Sequence, residues 1–436
     1  MDRLEIGIIG IGVVMTLIFC RVPIGVALGL PSFFGVWAIA NIRAAAGTFS
    51  TPYHFLGDWT LSAIPMFLLM GFVASNTGLT SGLFNAIRMF MSRVPGGLAS
   101  ASVIACAMFS SASGSSVATA AALSRIAVPE MLKARYAPSL ASGTIAAAGT
   151  LGSLIPPSIL AIIYGVFAEQ SIGRLFAACI IPGILSAIAY IAMITIRVQL
   201  NPPLAPAIVE EEPSRAEKIA AIKDLWAFPV LVFGVLGGIF VGVFSPTEGG
   251  AMGAFLAIIL AILRGSLTRK NFSNAIFDTV VSSASLFFIV IGAVLFTKFM
   301  ALAGVPSYLS GMLSSYATSP FLVILLVAVI YLILGCFIDA IGLMLLTLPI
   351  VVPIAASVGI DLIWFGVILI KLLEMGLVTP PVGLNVYVVK SSLGNLVTLS
   401  QVFRGVWWFL LMDVVILVIM YIWPETTLYM PRLIFG

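Results

Sequence analysis

Two matching stretches decide the fold of this chain: Leu151-Gly152-Ser153-Leu154-Ile155-Pro156-Pro157 and Met375-Gly376-Leu377-Val378-Thr379-Pro380-Pro381. Gly376 lies 224 positions after Gly152, and Pro380 lies 224 positions after Pro156. A Pro-Pro pair inside an apolar span interrupts the backbone hydrogen bonds of a helix. In lipid, such a break is tolerated only where protein or a water-filled cavity covers it. Broken helices at corresponding positions of two halves are typical of secondary transporters.

The composition is that of a membrane protein. Hydrophobic residues make up 61% of the chain and charged residues only 9%, against roughly 25% charge in soluble domains. With 436 residues, the chain has room for about ten spans of ~20 residues. The net charge of +4 is small, and basic residues cluster at the ends of apolar stretches, so no nucleic-acid partner is expected. The four cysteines lack paired spacing, which argues against a structural zinc site or a disulfide framework.

We predict an all-α polytopic membrane protein with about ten spans and two re-entrant helical hairpins, arranged as an inverted-repeat ion transporter. The apolar stretches lie near residues 4–20, 23–40, 60–77, 138–167, 175–197, 226–244, 250–263, 280–302, 362–389 and 404–423. Two further stretches, 96–124 and 319–349, carry small and polar residues at their middle, including Asp339. A hairpin that turns at these residues avoids placing hydroxyls or a carboxylate at the bilayer centre.

Charge placement predicts the orientation of the hairpins. Basic residues flank the first hairpin on both sides, with Arg88 before it and Arg125 and Lys133 after it. By the positive-inside rule both of its ends face the cytoplasm. Residues 303–319 carry no charge, so the second hairpin is predicted to open outward. Both termini then lie outside, and the two halves have inverted topology.

The prediction divides the chain into six parts. They are N-terminal scaffold spans at 1–59, a first inverted repeat at 60–197 with its broken helix at 149–157, a cytoplasmic linker at 198–225, a second scaffold pair at 226–279, a second inverted repeat at 280–423 with its broken helix at 376–381, and a C-terminal tail at 424–436. In each repeat we expect the hairpin tip to meet the following break. Unwound carbonyl groups there suit a small cation such as sodium, and half-helix N-termini attract an anion.

Several polar residues allow a plainer interpretation. A serine-rich run is often a helix-packing surface. Asp339 has no Lys or Arg near it in sequence, and either caps a hairpin helix or binds an ion. Lys371 and Glu374 are three residues apart and could simply pair on one helical face. Lys298 stands among apolar residues, where it either snorkels outward or contacts an anion.

The residues resemble one known family, the large membrane subunit of tripartite ATP-independent periplasmic (TRAP) transporters. The resemblance extends from about residue 4 to residue 423. In the first half it rests on the runs Gly114–Leu123, Val128-Pro129-Glu130-Met131, Ala148–Gly152 and Ile155-Pro156-Pro157-Ser158. In the second half it rests on Phe337-Ile338-Asp339, Leu348-Pro349-Ile350 with Pro353, Gly359-Ile360-Asp361, Gly366-Val367-Ile368 and Gly376–Asn385.

The resemblance implies a sodium-driven importer of the bacterial inner membrane that works by an elevator mechanism. It also implies two partners, a small four-span membrane subunit, expected as a separate polypeptide, and a soluble periplasmic binding protein. The substrate would be an organic anion, either a carboxylate or a sulfonate, and sodium would be the coupling ion without an organic cofactor.

The family's sodium sites map onto two sets of residues. The first set is Ser113, Gly114, Ser115, Gly149, Thr150 and Gly152. The second set is Cys336, Ile338, Asp339, Gly342, Met375, Gly376 and Thr379. For the substrate we predict contacts from Lys298, Ser115, Ser116 and Asn385.

Three other functions are less consistent with the sequence. The closest is a stand-alone sodium-coupled dicarboxylate or anion symporter, which would need no binding protein. An intramembrane enzyme would need paired catalytic groups, but the chain has a single histidine, His54, and Gly57-Asp58 lacks the first glycine of a GxGD motif. An ATP-driven pump would need a phosphate-binding GxxxxGK[ST] loop, which the sequence does not contain.

Overall fold

The computed structural model describes residues 2–79, 82–91, 94–206, 214, 217, 219, 221, 225–316 and 319–436. Its first-half α-helices are Arg3–Phe19, Ile24–Ile39, Ile42–Thr48, Ser50–Leu56, Ala63–Asn76, Leu83–Met91, Gly97–Ser113, Ser116–Lys133, Pro138–Ala148, Leu151–Leu154, Ile159–Phe167 and Ile172–Leu200. Those of the second half are Ala227–Phe240, Pro246–Leu263, Arg269–Ala303, Val305–Tyr316, Pro320–Gly335, Ala340–Ser357, Leu362–Gly376, Leu384–Leu393, Leu399–Ile422 and Glu425–Phe435. Short 3-10 helices lie at Trp59–Ser62, Pro202–Leu204 and Gly394–Leu396, and the described residues form no strand.

Four segments carry the features that the sequence singles out. Hairpin one (97–133) and hairpin two (320–357) are each two helices that pack against one another across a short turn. The first broken span (138–167) and the second broken span (362–393) each contain a Pro-Pro break. The Pro156–Pro157 and Pro380–Pro381 peptide bonds are both cis.

The all-helical, multi-pass class is confirmed. Within the described ranges, six helices are long and apolar enough to cross a membrane, and the bent pair of the first broken span makes seven if it is counted once. That pair bends by 41° at its break. The count of ten spans, the inverted repeat and the six-part division remain predictions.

Each of the two predicted scaffold pairs packs against a helix from the other half of the chain. Helices Arg3–Phe19 and Ile24–Ile39 both lie against Arg269–Ala303 of the second half, while Pro246–Leu263 lies against Ala63–Asn76 of the first half. A Cβ atom on Gly292 would come within 2.4 Å of the Gly25 carbonyl oxygen. Only glycine permits such an approach between two helix backbones. Each scaffold pair therefore supports the opposite half of the chain.

Two predicted segments differ in detail from the structure. The predicted tail at 424–436 forms helix Glu425–Phe435, which packs against Ile172–Leu200. Half of the predicted linker at 198–225 lies outside the described residues, and the end of helix Ile172–Leu200 and the 3-10 helix Pro202–Leu204 occupy its beginning.

Candidate cation and substrate sites at two helix breaks

The tip of hairpin one is a sharp turn between two capped helix ends. Gly114 has φ +61°, a left-handed conformation that glycine adopts without steric cost, and its N–H donates to the Ser110 carbonyl at 2.7 Å. The Ser115 Oγ atom then accepts the Ala118 N–H at 3.3 Å and caps the second helix. Two adjacent residues therefore define the turn: Gly114 ends the first helix, and Ser115 caps the second.

Several hydroxyl groups converge beside this turn. The Oγ1 atom of Thr119 lies 3.2 Å from Ser110 Oγ and 3.1 Å from Ser113 Oγ. Thr119 also donates a hydrogen bond to the Ser115 carbonyl at 2.8 Å. Neutral hydroxyl and carbonyl oxygens are hard ligands, which suit alkali and alkaline-earth cations.

The first break exposes backbone oxygens at the end of helix Leu151–Leu154. Because Pro156 has no N–H, it cannot donate to the Gly152 carbonyl as a helical residue would. The Ser158 hydroxyl donates to the Ser153 carbonyl, and Ser158 Oγ also caps the following half-helix by accepting the Ala161 N–H at 3.3 Å. The Ser158 side chain thus provides hydrogen bonds on both sides of the proline pair.

Hairpin one contacts the first break through glycines. A Cβ atom on Gly152 would lie 2.8 Å from Ser110 Cβ, and one on Gly149 would lie 2.9 Å from Ala120 Cβ. A Cβ atom on Gly114 would lie 3.5 Å from the Pro157 carbonyl oxygen. The structure therefore places Gly149 and Gly152 of the first predicted set against hairpin one and Gly114 against the first break, while sodium binding there remains a prediction.

The tip of hairpin two is also built around a cap. Asp339 is half-buried, and its Oδ2 atom accepts the Gly342 N–H at 3.0 Å at the start of helix Ala340–Ser357. Of the two roles that the sequence allows for Asp339, the capping role is confirmed. A role in ion binding would add to the cap and remains a prediction.

Hairpin two contacts the second break as closely as hairpin one contacts the first break. A Cβ atom on Gly376 would come within 2.8 Å of the Gly335 Cα atom. The Cys336 thiol lies 3.1 Å from the Pro380 carbonyl oxygen, and the Thr379 hydroxyl donates to the Met375 carbonyl at 2.6 Å. The second predicted set is therefore also clustered where a hairpin tip meets a Pro-Pro break.

The predicted substrate residues are only partly brought together. Ser116 and Asn385 are both buried, and the helix that begins beside Asn385 packs against the helix that begins with Ser116. Among the described residues, neither amide atom of Asn385 has a hydrogen-bond partner. Lys298 is instead exposed and donates to the Thr51 hydroxyl at 2.9 Å, so it does not join Asn385. A substrate role for Lys298 remains a prediction.

A buried ion cluster lies beside the breaks, and the sequence indicated only part of it. The expected pair of Lys371 and Glu374 is confirmed, with Nζ and Oε2 3.3 Å apart. Lys371 Nζ also lies 2.7 Å from Asp413 Oδ1, and the Tyr190 hydroxyl donates to that same oxygen at 2.6 Å. Asp413 was missed, although a lone acid within an apolar span is a signal of a buried polar site.

The whole chain matches one family of membrane proteins. Residues 11–426 match the sequence profile of the tripartite ATP-independent periplasmic transporter, DctM component. The chain belongs to this family. It is therefore a permease subunit of the bacterial inner membrane and not an enzyme, and the TRAP resemblance seen in its motifs is confirmed.

Two relatives and one solved structure illustrate the match. The sialic acid TRAP transporter large permease protein SiaM of Vibrio cholerae is 32% identical over 428 residues, covering 96% of this chain and 97% of that protein. The C4-dicarboxylate TRAP transporter large permease protein DctM of Pseudomonas aeruginosa is 33% identical, with 88% of each chain covered. In fold, the YdaH transporter of Alcanivorax borkumensis aligns with a TM-score of 0.64 at 15% identity, covering 89% of this chain and 90% of that one. The family match and the two relatives favour a TRAP permease over a stand-alone symporter.

Proposed function

We propose that this chain is the sodium-coupled permease of a TRAP importer for an organic anion. A small four-span membrane subunit and a periplasmic binding protein would act with it, since its relatives are large subunits of TRAP transporters. The observation that carries the proposal is the meeting of each hairpin tip with a Pro-Pro break. At both places, glycines allow oxygen-bearing turns to approach unwound backbone.

The two junctions suit sodium through their chemistry. Each offers hydroxyl and carbonyl oxygens in close contact, and the second also has the Asp339 carboxylate at its hairpin tip. Small monovalent cations bind such neutral oxygen sets at unwound helices in secondary transporters. A site with little fixed charge also releases its ion readily, as a transport cycle requires.

The substrate is proposed to be a carboxylate or a sulfonate. The buried Asn385 amide has an unused N–H₂ donor, and half-helix N-termini beside the breaks orient backbone N–H groups toward an anion. The two relatives described above are carriers of sialic acid and of C4-dicarboxylates by name, which supports the carboxylate class.

For movement, we propose an elevator. Hairpins, broken spans and the helices that follow them would travel as a unit against scaffold segments 1–59 and 226–279. The second tip-to-break contact within that unit joins two backbones, because Gly335 and Gly376 meet without side chains, and at the first Gly152 leaves room for the Ser110 side chain. Such contacts favour rigid movement over independent shifts of the hairpin and the span.

The coupling ion can be tested in proteoliposomes that contain the permease complex and its binding protein. We expect uptake to require an inward sodium gradient, with more than one sodium ion per cycle. Gly152→Ala and Gly376→Ala should each raise the half-saturating sodium concentration about 10-fold, equivalent to roughly 1.4 kcal/mol, because the added methyl group displaces a hairpin tip. Gly237→Ala is the matched control, since a Cβ atom there meets nothing within 4 Å. Undiminished uptake with potassium in place of sodium would refute the proposal.

The orientation can be tested by cysteine labelling. Cys106, Cys179 and Cys336 are buried, so Cys20→Ser provides a background with little accessible thiol. In that background, Phe90→Cys and Lys133→Cys should react from the cytoplasm, and Ser357→Cys from the periplasm. If Phe90→Cys and Lys133→Cys react from opposite sides, hairpin one crosses the membrane and the inverted topology is wrong.

A further inference from the structure

The buried ion cluster joins three segments of the fold at one point. Lys371 and Glu374 come from the second broken span, Tyr190 from helix Ile172–Leu200, and Asp413 from helix Leu399–Ile422. Ser186, one turn before Tyr190, accepts a hydrogen bond from Lys371 Nζ at 3.2 Å. All of these side chains are at most 1% exposed.

The cluster reaches both helix breaks. On the side of the second break, Glu374 directly precedes Met375 and Gly376 of the second predicted cation set. Helix Leu151–Leu154, at the first break, packs against helix Leu362–Gly376, which carries Lys371 and Glu374. The same short helix also packs against helix Ile172–Leu200, which carries Tyr190. It contains Gly152 and directly follows Thr150, both of the first predicted cation set, so the helices that carry the cluster contact segments of both sets.

The cluster resists independent movement of the two breaks. A buried charge that loses its partner is strongly destabilised, because the interior offers no water to replace it. Successive contacts of 2.6 Å, 2.7 Å and 3.3 Å run from Tyr190 to Asp413, from Asp413 to Lys371 and from Lys371 to Glu374. Moving helix Ile172–Leu200 away from the second broken span would separate at least one of these buried groups from its partner, so the helices packed around the two breaks are held in one joint geometry.

We propose that the Tyr190–Asp413–Lys371–Glu374 cluster couples the two cation sites, so that occupancy of one raises the affinity of the other. The inference rests on the proposed sodium coupling. Tyr190 and the three charged residues are positioning residues, since they hold the helices that carry or contact the predicted ligands Gly152, Met375 and Gly376 without themselves binding the ion. Coupling between two sites commonly changes affinity by 5- to 150-fold.

The variant that tests this coupling is Tyr190→Phe. It removes the hydroxyl that donates to Asp413, keeps the ring that packs edge-on against Phe409 at 5.0 Å, and leaves the Lys371–Asp413 pair intact. The readout is the unfolding temperature of the purified permease complex as sodium replaces potassium at constant ionic strength. Wild type should give a Hill coefficient above 1. Tyr190→Phe should lower it to about 1 and raise the half-saturating sodium concentration at least 5-fold.

Tyr164→Phe is the matched control. Tyr164 is a second fully buried tyrosine that bridges the two broken spans, its hydroxyl donating to the Leu362 carbonyl at 2.6 Å away from the cluster. It should keep the wild-type Hill coefficient. The coupling is overturned if Tyr190→Phe matches wild type, if Tyr164→Phe shows the same loss, or if wild type binds sodium with a Hill coefficient of 1. No sodium response at all in wild type would overturn the proposed function as well.

Discussion

Lys371→Met should be among the most damaging single substitutions in this chain. The variant keeps the side-chain length but leaves the carboxylates of Glu374 and Asp413 in the interior without the ammonium group that lies 3.3 Å and 2.7 Å from them. Removing one member of a buried ion pair costs about 3–5 kcal/mol. We expect a large fall in the unfolding temperature of the detergent-purified protein and a low yield of monodisperse complex.

Lys133→Met is the control for Lys371→Met. Lys133 also pairs with a carboxylate, at 2.8 Å from Glu130, but its side chain is 75% exposed, and exposed pairs contribute about 0–1 kcal/mol. Adding Asp413→Asn to Lys371→Met removes one uncompensated charge and should restore part of the stability. Equal unfolding temperatures for Lys371→Met and Lys133→Met would show that the cluster carries little energy.

Gly405→Ala should also be strongly destabilising, although it adds a single methyl group. Gly405 lies where helix Leu399–Ile422 crosses helix Pro138–Ala148, and its Cβ atom would come within 1.9 Å of the Ser139 carbonyl oxygen and 2.9 Å of the Gly143 Cα atom. Backbone atoms cannot rotate away, so the two helices must separate. We expect a cost at or above the upper end of the roughly 1–3 kcal/mol seen for overpacking, measured as a lower unfolding temperature.

Gly237→Ala separates this crowding from a general effect of alanine. Gly237 lies inside helix Ala227–Phe240, and a Cβ atom there meets nothing within 4 Å. Because alanine is about 1 kcal/mol better than glycine in a helix, the unfolding temperature should stay the same or rise. A similar response of Gly237→Ala and Gly405→Ala would mean that the two helices are not in contact at Gly405.

Local chemistry made the hairpins and breaks predictable from the sequence. Gly114 with Ser115, and Asp339 before an apolar run, are the ordinary residues of a helix end and a helix cap, and they act within a few positions of themselves. Proline pairs act in the same local way, since each removes backbone donors at a known place. The residues of each hairpin tip and each Pro-Pro break can therefore be named from the sequence.

Contacts between distant parts of the chain were not predictable in this way. Tyr190 and Asp413 are 223 positions apart, and nothing in the period or composition of either helix indicates that they meet. The packing of each scaffold pair against the other half likewise depends on which helix faces turn toward one another. For Lys298, the sequence left two orientations open, and its contact with Thr51 depends on a short helix that hydropathy alone does not reveal.

The unpartnered amide of Asn385 carries a free-energy penalty. A buried polar group without a hydrogen bond costs about 1–3 kcal/mol, and both amide atoms of Asn385 are in this position among the described residues. Under the proposed function, a cargo that supplies the missing partners would recover that free energy, whereas a molecule of similar shape without them would leave the penalty in place. Discrimination against such look-alikes would then come from an energetic deficit within the protein, in addition to any attraction for the correct cargo.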